Sequence, residues 1–343
     1  MKRIVIIFLL LIFVIIGIYA YLSYKKITNP NVVINKPGAE YFYIPTGSTF
    51  DYVVNELYNT GRIKDTASFR WVAKLKKYTN KVKAGRYKLK NGMSNEELVN
   101  LLRSGNQEPV KLTFNNIRTI EQLAGRVAKY IEPDSMSLVN IFHDENTIKK
   151  YGFNNYTFIS MFIPNTYEFY WNTSPEKFVA RMAKEYKRFW NKERKNKASK
   201  LNLSQSEVAT LASIVESETL KPDEMPVVAG VYINRLKRGI PLQADPTVIF
   251  ANGDFTIKRV LKKHLEKKSP YNTYIHKGLP PGPIRVASPL AIDAVLNYKH
   301  HNYIYFCAKE DFSGYHNFAR NLREHNANAR KYQRALNRRR IYR

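Results

Sequence analysis

Cysteine is almost missing from this chain. Cys307 stands alone among 343 residues, so no intrachain disulfide can form and cysteine usage says nothing about the redox compartment. It lies in the apolar run Tyr303–Ala308, which reads as a buried strand. Acidic residues are also scarce, 28 against 56 basic ones, leaving a net charge of +28. Nucleic-acid binding is the first reading of such a balance. The basic residues are spread along the chain rather than gathered in one arm, however, and runs such as Lys192–Lys195 read as solvated helix faces. A basic domain held beside anionic lipid or an anionic cell wall would be drawn there equally well, and abundant Lys, Asn, Ile and Tyr also follows from genome composition. Charge therefore selects no function, and no nucleic-acid partner is expected. Internal repeats and low-complexity tracts are absent. His300, His301, His316 and His325 lack metal-ligand spacing; neither a metal site nor a cofactor is expected.

What the chain does have begins at its start. Lys2-Arg3 precedes an uncharged apolar run, Ile4–Leu22, closed by Lys25-Lys26. At about 1.5 Å per residue this run spans roughly the 30 Å hydrocarbon core of a bilayer. It is longer than a usual signal core, and neither a small-x-small cleavage site nor a lipobox cysteine follows. An uncleaved transmembrane helix is therefore expected over residues 1–24. The flanking charges nearly balance, so they leave orientation open.

The rest reads as α+β. Residues 25–39 are expected to be a linker and 40–114 a small α+β module. In it, Tyr41–Pro45 suggests a strand, Thr49 a helix cap, Gly85–Leu89 a second strand, and Ser94–Glu97 a capping box for a helix ending at Ser104-Gly105. The remainder, 115–343, starts with a mostly helical stretch to Lys200 in which Phe162–Glu168, broken by Pro164, reads as a loop.

The densest signal runs from Ser204 to Tyr274. Ser204–Glu207 is a capping box, and Val208, Leu211, Ala212 and Val215 recur at helical spacing as one buried face. Glu216 and Glu218 end this helix. Residues two apart point about 200° apart around it, so the pair cannot easily flank one scissile bond as acid and nucleophile. Two solvated glutamates at a helix end would satisfy the same spacing. Glu218 has Ile214 and Val215 in the preceding turn where Glu216 has Ala212 and Ser213, and desolvation raises a carboxyl pKa. Such a carboxyl suits general-acid work on a glycosidic oxygen. Downstream, segments 241–250, 269–274 and 278–284 are dense in amides, hydroxyls and aromatics, side chains suited to a polyhydroxylated ligand. Turns favour many of the same residues.

The strings Ala212–Thr219, Val228–Leu236, Pro241–Thr247, Tyr271–Tyr274, Gly278–Ile284 and Phe162–Tyr167 together resemble the YceG/MltG-type endolytic murein transglycosylases, over nearly the whole chain. The resemblance implies a single-pass protein of the cytoplasmic membrane with its N-terminus inside and its catalytic domain periplasmic. It further implies a LysM-like module at 40–114, a catalytic domain at 115–343, and cleavage of nascent peptidoglycan between N-acetylmuramic acid and N-acetylglucosamine. Glu218 takes the catalytic position, second in Glu-x-Glu-Thr. Ser217 departs from the Lys of several relatives. The implied chemistry is a lyase reaction that leaves 1,6-anhydro ends and terminates strand growth, with peptidoglycan synthases as partners. Gln243, Asp245, Tyr271, Asn272 and Thr273 are candidates for positioning substrate, joined by Asn234, Asn326 and, as a contact rather than a reacting group, Glu216. Asp245 could equally cap a helix or turn through Pro246. Arg338–Arg340 lies outside the pattern and is expected to be solvated. The rival function is a membrane-anchored peptidoglycan-binding protein without catalysis.

Overall fold

Ile4–Leu22 folds as the body of a long helix, α1 (Lys2–Thr28), none of whose residues is buried and which is long and apolar enough to cross a membrane. The computed structural model describes residues 1–34 and 40–339. It divides into two units, both mixing helices with short strands. The first comprises Met1–Leu112, Tyr130–Pro133 and Glu168–Ser174, and the second Thr113–Lys129, Asp134–Tyr167 and Pro175–Arg343.

The first unit continues with β1 (Glu40–Ile44), α2 (Phe50–Asn59), α3 (Thr66–Leu75), β2 (Gly85–Leu89) and α4 (Asn95–Ser104). β1 and β2 pair antiparallel with Phe42 opposite Tyr87. Alternation along β1 turns Phe42 and Ile44 inward onto Val53, Leu57, Phe69, Val72 and Leu98. Thr49 accepts from the Tyr52 amide to cap α2, and Ser94 and Glu97 form the capping box of α4, which ends at Gly105 in the left-handed region (φ 74°).

One expectation here needs correction. The segment 25–39 is not simply a linker: α1 runs on to Thr28, and Asn31, Val32 and Ile34 are buried, Val32 bridging to Ile63. Two valines and an isoleucine in a row of small polar residues give this stretch something to bury. Residues 35–39 lie outside the described residues.

The chain passes between the units within β3 (Val110–Phe114) and β4 (Asn165–Phe169), which pair. The second unit holds α5 (Ile120–Val127), α6 (Ser135–His143), α7 (Glu145–Lys150), α8 (Pro175–Phe189) and α9 (Lys192–Lys200), then α10 (Gln205–Glu218) and α11 (Met225–Lys237). It continues with α12 (Asp245–Asn252), α13 (Lys262–Leu265), α14 (Pro289–Leu296), β5 (Tyr305–Ala308), β6 (His316–Ala319) and α15 (Leu322–Arg338). The stretch read as a loop around Pro164 is instead a 3₁₀ turn, Phe158–Met161, followed by β4. Proline ends the turn, and two-residue alternation then buries Tyr167 and Phe169. Cys307 lies in β5 but is half-buried. Arg338 and Arg339 are exposed, and Arg340 lies outside the described residues.

α10 organises the second unit. It packs on α11, α12 and α14, and every residue from Val208 to Val215 is buried, not only the apolar stripe. Its polar residues survive burial by bonding locally: Thr210 Oγ1 donates to the Ser206 carbonyl, and Ser213 Oγ donates to the Thr210 carbonyl while accepting from the Ile284 amide.

Candidate active site

α10 ends at Glu218, at the floor of a cavity of about 420 Å³. Its walls come from α11 (Tyr232, Arg235), the 242–243 turn, the start of α12 (Asp245), Tyr274, β5 (Tyr305, Phe306) and α15 (His325, Asn326). All belong to the second unit.

The Glu218 side chain stays partly open to the cavity, yet protein surrounds its carboxyl on the other sides. Desolvation pushes its pKa up to about 7, helped by the negative charge of Asp245 and opposed by a hydrogen bond from Tyr232. The carbonyl end of α10 also disfavours an anion there. Tyr232, itself buried, donates its hydroxyl to Glu218 Oε1 at 2.8 Å. Burial and the neighbouring carboxyl hold that phenol well above its ordinary pKa, so it remains a donor.

Asp245 is the first residue of α12, which no side chain caps. Its carboxylate is turned instead to the Tyr274 hydroxyl, which donates to it at 2.6 Å. Of the two readings open in the sequence, the capping one is thereby excluded. Asp245 is exposed at the rim. The cavity thus contains a second carboxylate, which the spacing of Glu216 and Glu218 gave no means of seeing.

Arg235 fixes the frame. Its buried guanidinium donates from Nε to the Ile304 carbonyl, and from Nη1 to the carbonyls of Pro241 and Leu242 and to Gln243 Oε1. Desolvation lowers its pKa from the ordinary value. Gln243 is held at φ 52°, a strained conformation for a residue other than glycine, with its amide bonded to the Thr273 carbonyl. Behind Glu218, the buried Glu224 accepts from Thr219 Oγ1 at 2.9 Å and the His316 amide at 2.7 Å, and lies 2.8 Å from His316 Nδ1, which pins the chain leaving α10.

Of the residues singled out in the sequence, Glu218, Gln243, Asp245 and Asn326 meet at the cavity. The other five do not line it. Glu216 accepts from the Ser288 amide and lies 3.8 Å from Arg285 Nε, tying α10 to the start of α14. Asn234 donates to the carbonyls of His301 and Tyr303. Asn272 is fully buried, donating to the carbonyls of Leu265 and Lys267. Thr273 accepts from the Ala244 amide. Tyr271 packs on Phe250, ring centroids 4.6 Å apart, with its pKa pushed up to about 12 by burial. These are scaffold roles: amides and hydroxyls in irregular segments serve buried backbone as readily as ligand. Sequence reasoning missed Tyr232, Arg235, Tyr274, Tyr305 and His325 as cavity residues. Tyr232 and Arg235 fall inside the string Val228–Leu236, but nothing in a single sequence separates an inward-facing aromatic of a core helix from a catalytic neighbour.

The model of the YceG-like family matches residues 42–331. The endolytic murein transglycosylase of Bacillus subtilis (strain 168) is 32% identical over 305 residues, covering 84% of this chain and 83% of that protein. The endolytic murein transglycosylase of Streptococcus pneumoniae serotype 2 (strain D39 / NCTC 7466) is 28% identical over 349 aligned positions, 91% of this chain and 62% of that protein. In three dimensions, a yceG-like protein from Listeria monocytogenes, solved at 2.6 Å, superposes with a TM-score of 0.58 at 28% identity. That match covers 85% of this chain and 99% of the other.

Proposed function

This chain belongs to the YceG-like family, and from that membership and the cavity at Glu218 we propose that it is an endolytic murein transglycosylase. Its substrate is the glycan strand of peptidoglycan, cut between N-acetylmuramic acid and N-acetylglucosamine during strand growth. The observation that carries the mechanism is one desolvated carboxyl with a pKa of about 7 facing a polar cavity.

Near neutral pH a large share of Glu218 is protonated. Because Oε1 accepts from Tyr232, the proton sits on Oε2. Glu218 donates it to the glycosidic oxygen as the bond to C1 breaks. The resulting carboxylate then takes the proton of the muramic C6 hydroxyl, whose oxygen closes onto C1. A 1,6-anhydro end forms without water, and Glu218 returns to its acid form. Tyr232 orients the carboxyl, and Asp245, held by Tyr274, supplies negative charge beside the cationic sugar of the transition state.

The molecule is anchored by α1 in a single pass, N-terminus in the cytoplasm and both units outside. The self-contained α+β core of the first unit supports its reading as a LysM-like glycan-binding module. The test is Glu218→Gln assayed on purified glycan strands. General acid–base catalysis of this kind contributes about 10²–10⁴-fold, and the variant should lose at least that much. Undiminished glycan release would leave the chain a wall-binding protein and end the catalytic reading.

A further inference from the structure

A second cleft, of about 370 Å³, lies within the first unit beside the end of α1, and Lys25, Lys26 and Lys64 line it together with Leu22. The junction is built. Asn95 Nδ2 donates to the Lys26 carbonyl at 2.9 Å, Pro30 bridges to Ser94, and the Lys64 amide bonds to the Asn31 carbonyl. Two lysines leaving a helix and one from a distant turn are thereby brought into one concavity. All three are exposed and, among the described residues, none is in a salt bridge. Asp65 also lines the cleft, but its carboxylate accepts from the Ala67 and Ser68 amides as the cap of α3. Those bonds, with Lys26 nearby, hold its pKa below the usual value. The cleft keeps an excess of positive charge.

Depth decides what such a cleft meets. With Ile4–Leu22 filling the hydrocarbon core, Lys25 stands about 4.5 Å beyond its edge, inside a headgroup layer roughly 5–7 Å thick. Tyr21, at the edge of that core, and Trp71 flank the lysines, with the Lys25 ammonium 4.8 Å from the Tyr21 ring and that of Lys26 5.6 Å from Trp71. We infer that this cleft is a binding site for the phosphate headgroup of an anionic phospholipid. The lipid would hold the first unit against the outer membrane surface through Lys64 as well as through the helix itself. This inference rests on α1 spanning the bilayer.

The full chain, reconstituted in nanodiscs of phosphatidylcholine with a minority of phosphatidylglycerol, should retain phosphatidylglycerol above its bulk share when bound lipid is quantified by mass spectrometry. Each of Lys25→Gln, Lys26→Gln and Lys64→Gln should lower that enrichment about fivefold, and the triple variant should return it to the bulk ratio. Glycan cleavage in detergent should be unchanged in all of them, reporting an intact fold. Enrichment that survives the triple substitution, or never appears, overturns the headgroup site while leaving the anchor standing. Inorganic phosphate that binds the detergent-solubilised chain through the same three lysines, while no phosphatidylglycerol is enriched in nanodiscs, overturns the lipid assignment in favour of a plain anion site. Release of the chain from vesicles by alkaline carbonate refutes the membrane-spanning reading, and the headgroup site with it.

Discussion

Glu218 is stabilising for catalysis and costly for folding. Its folded pKa of about 7 exceeds the ordinary 4.5, so between those values the native state binds more protons than the unfolded chain. Stability therefore falls as pH rises from about 4.5 to about 7 and levels off above. The full shift corresponds to a cost of up to about 3 kcal/mol at pH 8. Glu218→Gln should accordingly melt higher than wild type at pH 8, with the difference vanishing near pH 4.5; thermal denaturation across pH checks both limbs. Tyr232→Phe tests the hydrogen bond to Oε1. That bond favours the carboxylate, so its loss should raise the pKa and move the alkaline limb of the kcat profile to higher pH. Turnover should fall roughly tenfold as orientation is lost. An unmoved limb would mean that Tyr232 merely packs against Phe306.

Among the elements, α10 and α11 deliver the acid and its partner, and their close neighbours are sensitive. On Gly230 of α11 a Cβ would stand 2.5 Å from the Lys299 carbonyl oxygen. Gly230→Ala should cost about 1–3 kcal/mol and lower Tm, because a backbone carbonyl cannot swing aside. Gly125→Ala in α5 meets nothing within 4 Å and should be neutral or stabilising by up to about 1 kcal/mol. Calorimetry of the pair separates close packing from general intolerance. The elements also show what a sequence can reveal. Ser94 and Ser204 announce their helices because capping is a local bond between residues three apart. Glu218 is legible for a similar reason, since its apolar neighbours sit within one helical turn. β4 was hidden by Pro164, a residue that ends a turn as readily as it interrupts a strand. The inward turn of Tyr232, the rim position of Asp245 and the arrival of Tyr305, His325 and Asn326 depend on how α11, α12, β5 and α15 pack. No local pattern encodes that packing. The same limit explains why Asn272 and Thr273 resembled ligand contacts: their buried backbone partners lie on other segments.

On the proposed reading the chain divides its tasks: α1 anchors it, the rest of the first unit contacts glycan, and the second unit cleaves it. If α1 spans the membrane with its start inside, protease added to spheroplasts should digest everything beyond Thr28 and leave the helix; full protection would reverse the orientation. A net charge of +28 would draw the chain to any anionic surface without choosing among them, so the reaction itself must identify the protein. Asp245 beside Glu218 makes that choice sharp, because a second carboxylate in the cavity is what a water-consuming muramidase would also use. Mass spectrometry of the ends made from purified glycan strands tests the central claim most directly. Wild type should give 1,6-anhydromuramic ends, each lighter by one water than the hydrolytic product, and Glu218→Gln should give almost none. Reducing muramic ends from the wild-type protein would contradict the account.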